Sequence, residues 1–274
     1  MLALQRRAVI LDLVRREGAV RVAHLVERLG VSDMTIRRDL EALARSGSLE
    51  KVHGGAVATS TTTTGEEPGF EAKTNLESRA KAAVATAAAA LVKPGSVVAV
   101  SGGTTAFAVA SGLRYTPGLT VVTNSLPVAE LLRGFAEEPD VGAPTVLLTG
   151  GAPTRSASLV GPLADQAIRS LQVDLVIMGA HGVSERAGVT SPNLAEAQTN
   201  RALIDSATQV AVVADHTKWG VVGLSRFAAL SEIDYFVSDD ALGEEARSVL
   251  SREVGRLVLA DNMEHERRNG PGAR

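Results

Sequence analysis

The 274-residue chain reads as an α/β protein in two parts: a small unit of three helices and a β-wing, then a mainly parallel, doubly wound α/β domain. Three observations predict this. Up to Val57 the apolar residues recur at helical spacing and finish in a Gly-Gly hairpin. From about Phe70 onward, short and often β-branched runs alternate with helical patterns. Between the two lies Thr59 to Gly69, a stretch without apolar periodicity that cannot pack a core.

In the first part, residues 6–16 carry Val9, Ile10, Leu13 and Val14 at 3–4 spacing, and Glu17-Gly18 closes that helix. A second helix covers residues 22–29, with Val22, Leu25, Val26 and Leu29 facing inward. Gly30-Val31 makes the turn and Ser32 caps a third helix, which Gly47 ends. On that helix Ile36, Leu40 and Leu43 stack on one side; Met34, Arg37, Arg38, Glu41 and Arg45 fall on the other. Residues 49–57 then alternate around Gly54-Gly55 as a hairpin. Three helices and a wing within sixty residues describe a winged helix-turn-helix, whose third helix can lie in a DNA major groove. A small helical bundle without a ligand is the plainer alternative, but the turn, the cap, the arginine pair and the wing agree independently. The candidate DNA contacts are Ser32, Met34, Thr35, Arg37, Arg38 and Arg45 on the helix, with Lys51 and His53 on the wing.

Charge is divided in the same sense. Up to Val57 there are ten basic and seven acidic residues; beyond it there are 18 and 24, so a mildly basic head precedes an acidic body. The expected organisation is a DNA-binding unit at 1–57, a linker at 58–70, an α/β domain at 71–262 and a disordered tail at 263–274. With 45% hydrophobic and 22% charged residues the composition is that of a soluble globular protein. Arg6 follows Met1-Leu2-Ala3-Leu4-Gln5 too closely for a signal peptide, and the longest apolar run, residues 82–92, is broken by Thr86 and too short for a bilayer. The chain has no cysteine, which removes disulfides, thiolate nucleophiles and Cys-type zinc sites. A cytoplasmic protein without metal or cofactor is expected.

In the second part, strands are expected at 96–100, 119–123, 145–148, 173–178, 209–214, 235–237 and 256–259. Helical patterns separate most of them, at 105–113, 127–135, 163–171, 196–207 and 243–253, after an alanine-rich helix at 78–92. Ligands of such sheets bind at the carboxyl ends of the strands, so the residues just after each run are the candidates. Ser101-Gly102-Gly103-Thr104-Thr105 opens onto a helix, where free amides and hydroxyls make an anion site. It lacks the Lys of a Walker loop and the spacing of a dinucleotide fingerprint. Asn124-Ser125 follows the second strand and Gly150-Gly151, with Arg155 nearby, the third. Gly179-Ala180-His181-Gly182 follows the fourth and Asp215-His216-Thr217-Lys218 the fifth. A lone Gly-Gly turn is usually a tight connection, but five strand ends in series bearing glycines, hydroxyls, amides or cations suit a phosphorylated, hydroxyl-rich small molecule. No Ser-hydrolase elbow is present, and five scattered histidines give no metal spacing.

These stretches resemble the DeoR family of bacterial sugar-responsive transcriptional regulators over nearly the whole chain. The resemblance rests on Val31-Ser32-Asp33-Met34-Thr35-Ile36-Arg37-Arg38-Asp39-Leu40 and Val52-His53-Gly54-Gly55-Ala56 in the head. In the body it rests on Gly103-Thr104-Thr105, Val122-Thr123-Asn124-Ser125-Leu126-Pro127, Leu159-Val160-Gly161-Pro162, Gly179-Ala180-His181-Gly182 and Ala214-Asp215-His216-Thr217-Lys218. It implies a sensor domain similar in fold to ribose-5-phosphate isomerase and sugar-phosphate deaminases, responding to a phosphorylated sugar. Two positions depart from the family pattern: Ser101-Gly102 replaces a usual Asp-Ser, and Asn200 stands where many relatives carry a basic residue.

The expected function is therefore a repressor of a carbohydrate-catabolism operon, a homo-oligomer of two or four chains bound to double-stranded operator DNA and released by a phosphorylated sugar. Gly102, Gly103, Thr104 and Thr105 would take the phosphate, Lys218 or Arg155 add charge, and Asn124, His181, Glu196 or Asp215 hold hydroxyls, with Ser125, Gly151 and His216 completing the rim. A second reading is an isomerase- or deaminase-like enzyme with a DNA-binding head, using Asp215, His216 and Glu196 as acid-base groups and Lys218 as electrophile. Its first loop lacks the usual Asp, and a basic head serves no purpose in metabolism. A third reading, an architectural DNA-binding protein, predicts no small-molecule effect on DNA binding.

Overall fold

The computed structural model describes residues 3–17, 19–45, 49–52, 54–57, 70–74, 76–134 and 143–261. The chain divides into two compact units, Met1–Thr63 and Thr64–Arg274.

The first unit contains α1 (Ala3–Glu17), β1 (Ala19–Arg21), α2 (Val22–Leu29), α3 (Asp33–Arg45), β2 (Glu50–Val52) and β3 (Gly55–Val57). Its core is built from the inward residues of every helix: Ile10, Leu13 and Val14, then Leu25, then Ile36, Leu40 and Leu43, closed by Leu49 and Ala56. Each such side chain contributes about 1.5–3 kcal/mol on burial, and so small a unit needs all of them. The expected hairpin is present, with Lys51 opposite Ala56. A third strand, β1, was not expected; it pairs antiparallel with β3, Val20 opposite Ala56. Three residues between two helices carry too little pattern to be read as a strand. Gly47, expected to end α3, and His53 of the wing lie outside the described residues.

The second unit begins with α4 (Phe70–Thr74) and α5 (Ser78–Ala89). There follow β4 (Val97–Val100), α6 (Thr104–Leu113), β5 (Thr120–Thr123), α7 (Leu126–Gly134), β6 (Thr145–Leu148), β7 (Ala152–Pro153), β8 (Leu159–Val160) and α8 (Pro162–Arg169). The chain then forms β9 (Val173–Gly179), β10 (Gly182–Ser184), β11 (Gly188–Ser191), α9 (Leu194–Asp205), β12 (Ala207–Val213), β13 (Ser225–Ala228), β14 (Tyr235–Asp239), α10 (Glu244–Glu253) and β15 (Arg256–Ala260). All seven expected runs are strands of one parallel sheet, in the order β15-β14-β12-β9-β4-β5-β6.

The period of two along each strand divides the apolar residues between two cores. Leu175 and Ile177 of β9, with Ala211 and Val213 of β12, pack under α5, α6 and α7. Val176 and Met178, with Val210 and Val212, pack under α8, α9 and α10. A sheet covered on both faces is doubly wound, and its strands have no polar face to show. The short strands were not expected: β7 pairs with β8, and β10, β11 and β13 make a small antiparallel sheet. From β4 the chain builds outward through β5 to β6, then returns to place β9 on the other side of β4. The carboxyl ends of β4 and β9 are therefore the switch point of the sheet, the place where ligands of such sheets bind. No helix among the described residues is long and apolar enough to cross a membrane.

Candidate functional site

Two places carry chemistry, one in each unit. In the first, Ser32 caps α3: its Oγ accepts the Thr35 amide at 3.3 Å and lies 2.9 Å from Thr35 Oγ1. Met34, Arg37 and Arg38 are exposed on the outer face. The two arginines differ. Arg37 is tied by a two-pronged ion pair to Asp33 one turn earlier, which holds its guanidinium above its ordinary pKa. Arg38 makes no ion pair with a described residue. Lys51 of the wing is engaged with Glu41 at 2.7 Å. Arg45 ends α3, and its side chain lies outside the described residues, as does His53. Asp39 turns inward instead, is 2% exposed, and receives Arg6 at 2.6 Å and Arg7 at 2.9 Å. It pins α1 to α3, a role that sequence spacing did not reveal.

In the second unit the strand ends are knitted together. Ser101, at the end of β4, donates to the Gly102 carbonyl, and its Oγ accepts the Gly179 amide from β9 at 3.2 Å. Gly102 N donates to Asn124 Oδ1 at 3.1 Å, and Asn124 Nδ2 donates to the Leu159 carbonyl at 3.0 Å. Asn124 thus holds the first turn against β8. Ser125 is buried and its Oγ accepts the Val128 amide at 3.4 Å, capping α7. Gly103 has φ of +114°, a conformation an L side chain resists, and α6 starts directly after it with no side-chain cap. Its first amides and positive dipole end are left for an anion. Thr104 is half-buried there; Thr105 is buried. Gly151, also at positive φ, would set a Cβ 2.7 Å from the Val160 carbonyl, so close packing accounts for it. Arg155 is exposed, between Thr154 and Ser156.

Charged groups converge beside this turn. His181, after β9, is pushed down to about 4 by burial and by Lys218 and Lys73, against the pull of Glu196. Its imidazole is thereby held uncharged at neutral pH. Asp215 is 2% exposed; its Oδ1 accepts the Thr217 amide and hydroxyl, while Oδ2 is buried without a hydrogen-bond partner. His216 Nδ1 lies 2.8 Å from Asp239 Oδ2, and that hydrogen bond raises its pKa against the effect of burial. Lys218 is half-buried. Glu196, in the first turn of α9, accepts the hydroxyls of Thr154 at 2.6 Å and of Ser156, with Ser191 at 3.5 Å from its other oxygen.

Several of these partners were not anticipated. Lys81 of α5 is 5% exposed, donates to the Lys73 carbonyl at 2.7 Å, and is pushed down to about 8 by burial, with Asp215 opposing and Lys218 and Lys73 reinforcing the shift. Glu77, at the N-cap of α5 with φ of +50°, bears electrostatically on Lys81 and His216. A lysine in an alanine-rich helix looks like a solvated residue; only the alanines around it, all buried on that face, hinted otherwise. Ser156, Ser158 and Asp239 carry no local signature at all. Among the described residues no group of three or more His, Asp or Glu is gathered for a metal ion.

Comparison with known proteins follows the same division. The DeoR-like helix-turn-helix domain matches residues 6–62, and the DeoR C terminal sensor domain matches residues 76–240. A transcriptional regulator of Escherichia coli K12, YgbI, is 37% identical over 96% of this chain and 100% of its own length. A glycerol-3-phosphate regulon repressor of Haemophilus influenzae is 30% identical over 93% of this chain and 96% of its own. Among solved structures, ribose 5-phosphate isomerase A of Methanocaldococcus jannaschii matches with a TM-score of 0.37 and 18% identity, over 51% of this chain and 53% of that one.

Proposed function

Because the chain belongs to the DeoR family of DNA-binding transcriptional regulators and is not an enzyme, we propose that it represses a carbohydrate-catabolism operon and leaves its operator when a phosphorylated sugar fills the strand-end site. The observation that carries this is Asp215. A buried carboxylate oxygen without a donor is costly, and a ligand hydroxyl entering beside it removes that cost. In this reading the turn at Gly102, Gly103, Thr104 and Thr105 takes the phosphate at the start of α6. Lys81 and Lys218 add positive charge, and Asp215, His181 and Glu196 hold hydroxyls.

On the DNA side, Arg38 is the base-reading side chain, with Ser32, Met34, Thr35, Arg37, Arg45, Lys51 and His53 positioning the helix and wing on the duplex. One helix cannot reach operator affinity, so the repressor acts as an oligomer, at least a dimer, on repeated half-sites in the cytoplasm. Residues 1–57 and 71–262 are the two working parts, joined by the linker at 58–70.

Calorimetry with ribose 5-phosphate, glucosamine 6-phosphate and inorganic phosphate, followed by gel-shift titration, tests the reading. One sugar phosphate should bind and weaken operator binding about 5- to 150-fold, the range of a 1–3 kcal/mol coupling. Silence across the panel overturns it, as does binding unchanged by Thr104→Ala combined with Lys218→Ala.

A further inference from the structure

Resting on that placement of the effector, we infer that Ser158 is a specificity-determining residue of the sensor site, presenting an acceptor-only hydroxyl beside the anion turn where residue 102 has no side chain. A Cβ on Gly102 would lie 1.8 Å from Ser158 Oγ and 2.9 Å from Ser158 Cβ. The hydroxyl of Ser158 therefore occupies the volume that a side chain at position 102 would need. It reaches there from the segment between β7 and β8, which is bridged to the α7 start through Ser125 opposite Ser158.

The polarity of this hydroxyl is set from a distance. Glu196 Oε1 is a carboxylate oxygen that accepts from both Thr154 and Ser156, and these two hydroxyls also lie 2.8 Å from each other. A carboxylate oxygen cannot donate, so at that contact the single Ser156 proton goes to Glu196. At its other contact, 3.3 Å from Ser158 Oγ, Ser156 can then only accept. Ser158 donates to it and turns its lone pairs to the Gly102 turn. An oxygen with its own proton committed repels a phosphate oxygen and accepts a ligand hydroxyl. The hydroxyl chain thus carries the negative end of Glu196 to the edge of the phosphate turn, and selects a ligand that bears a hydroxyl next to its phosphate ester.

Calorimetry on the full chain tests this with ribose 5-phosphate, glucosamine 6-phosphate and inorganic phosphate. In Ser158→Ala the affinity for whichever sugar phosphate binds the wild type should fall about tenfold, the usual worth of one hydrogen bond, while inorganic phosphate changes less than about twofold. Gly102→Ser should lose both ligands by collision. Gly102→Ser with Ser158→Gly should regain the sugar phosphate, because the hydroxyl has been moved across the turn. Equal loss of both ligands in Ser158→Ala, with an unchanged melting temperature, would make Ser158 a support of the turn and overturn the inference, as would no loss of either. If the wild type binds none of the three, the effector reading itself fails; a wild type that binds and a Ser158→Ala that binds alike sinks this inference alone.

Discussion

The outer face of α3 and the site at the strand ends use charge in opposite ways. On α3 the polar groups come from consecutive turns of one helix and face water; Arg38 is left ready for a partner, while the acids of that helix are engaged elsewhere, Asp33 with Arg37, Glu41 with Lys51 and the inward Asp39 with Arg6 and Arg7. At the strand ends the groups come from α5, the β4 turn, the segment after β7, α9 and the ends of β9, β12 and β14. There they are buried, tied to one another, and shifted in protonation by their neighbours. A surface that must read many phosphates in sequence tolerates an open, screened array. A site that must recognise one small molecule gains from desolvated groups whose protons are already assigned.

Four measurements would break or sharpen that contrast. The largest effect is expected at the inward acid. Asp39→Ala removes the carboxylate that holds Arg6 and Arg7, and should cost about 3 kcal/mol in denaturant unfolding of the first unit, the low end for a broken buried pair because Arg7 remains partly solvated. A cost below about 1 kcal/mol would return Asp39 to the class of surface pairs. Next comes Arg38→Ala, which should leave the melting temperature alone and remove about 1–3 kcal/mol of base discrimination in gel shifts against a scrambled site. Arg37→Ala should do less, since Asp33 already holds that guanidinium; the reverse order would exchange their roles.

At the strand ends, pH is the probe. The Lys81 ammonium, held down to about 8, loses its proton above that pH in the empty site, and an anion binds the protonated form better. Affinity for a sugar phosphate should be level between about pH 6 and 8 and then fall by up to about tenfold per unit; Lys81→Met should flatten the alkaline limb. An unchanged limb in that variant would assign the charge to another group. The smallest effect is at the cap: Ser32→Ala should cost about 1 kcal/mol of unfolding free energy. It should weaken specific and non-specific DNA binding alike.

How much could be read in advance follows the same contrast. The third helix was legible because its function is local: Ser32, Ile36, Leu40 and Arg38 all lie within three turns and their roles follow from a period of 3.6. The inner strands of the main sheet were legible because burial on both faces leaves near-continuous apolar runs, and the more exposed edge strands β6 and β15 were legible from their short apolar runs alone. Glycine turns at strand ends pointed to the switch point of the sheet, where Ser101 and Gly102 do stand. What was hidden is whatever depends on partners far along the chain. Lys81 feels the charge of Asp215 across more than a hundred residues, and Thr154 and Ser156, with Ser158 behind them, reach Glu196 from a segment whose strands are two residues long. Asn124 read as a ligand group because it follows a strand, yet its amide is spent on Gly102 and Leu159.

Asp39 has one more consequence, for the ionic atmosphere of the DNA. Arg6 and Arg7 count toward the basic head in any tally of charges, yet both are committed to a carboxylate inside their own unit. They displace few condensed counterions when the protein binds. The slope of log affinity against log salt, near −0.9 per phosphate neutralised on duplex DNA, should therefore be shallower than the head's arginine count would give. DNA binding by this regulator would then survive a rise in cellular salt better than its composition promises, and its selectivity would rest the more on what Arg38 reads.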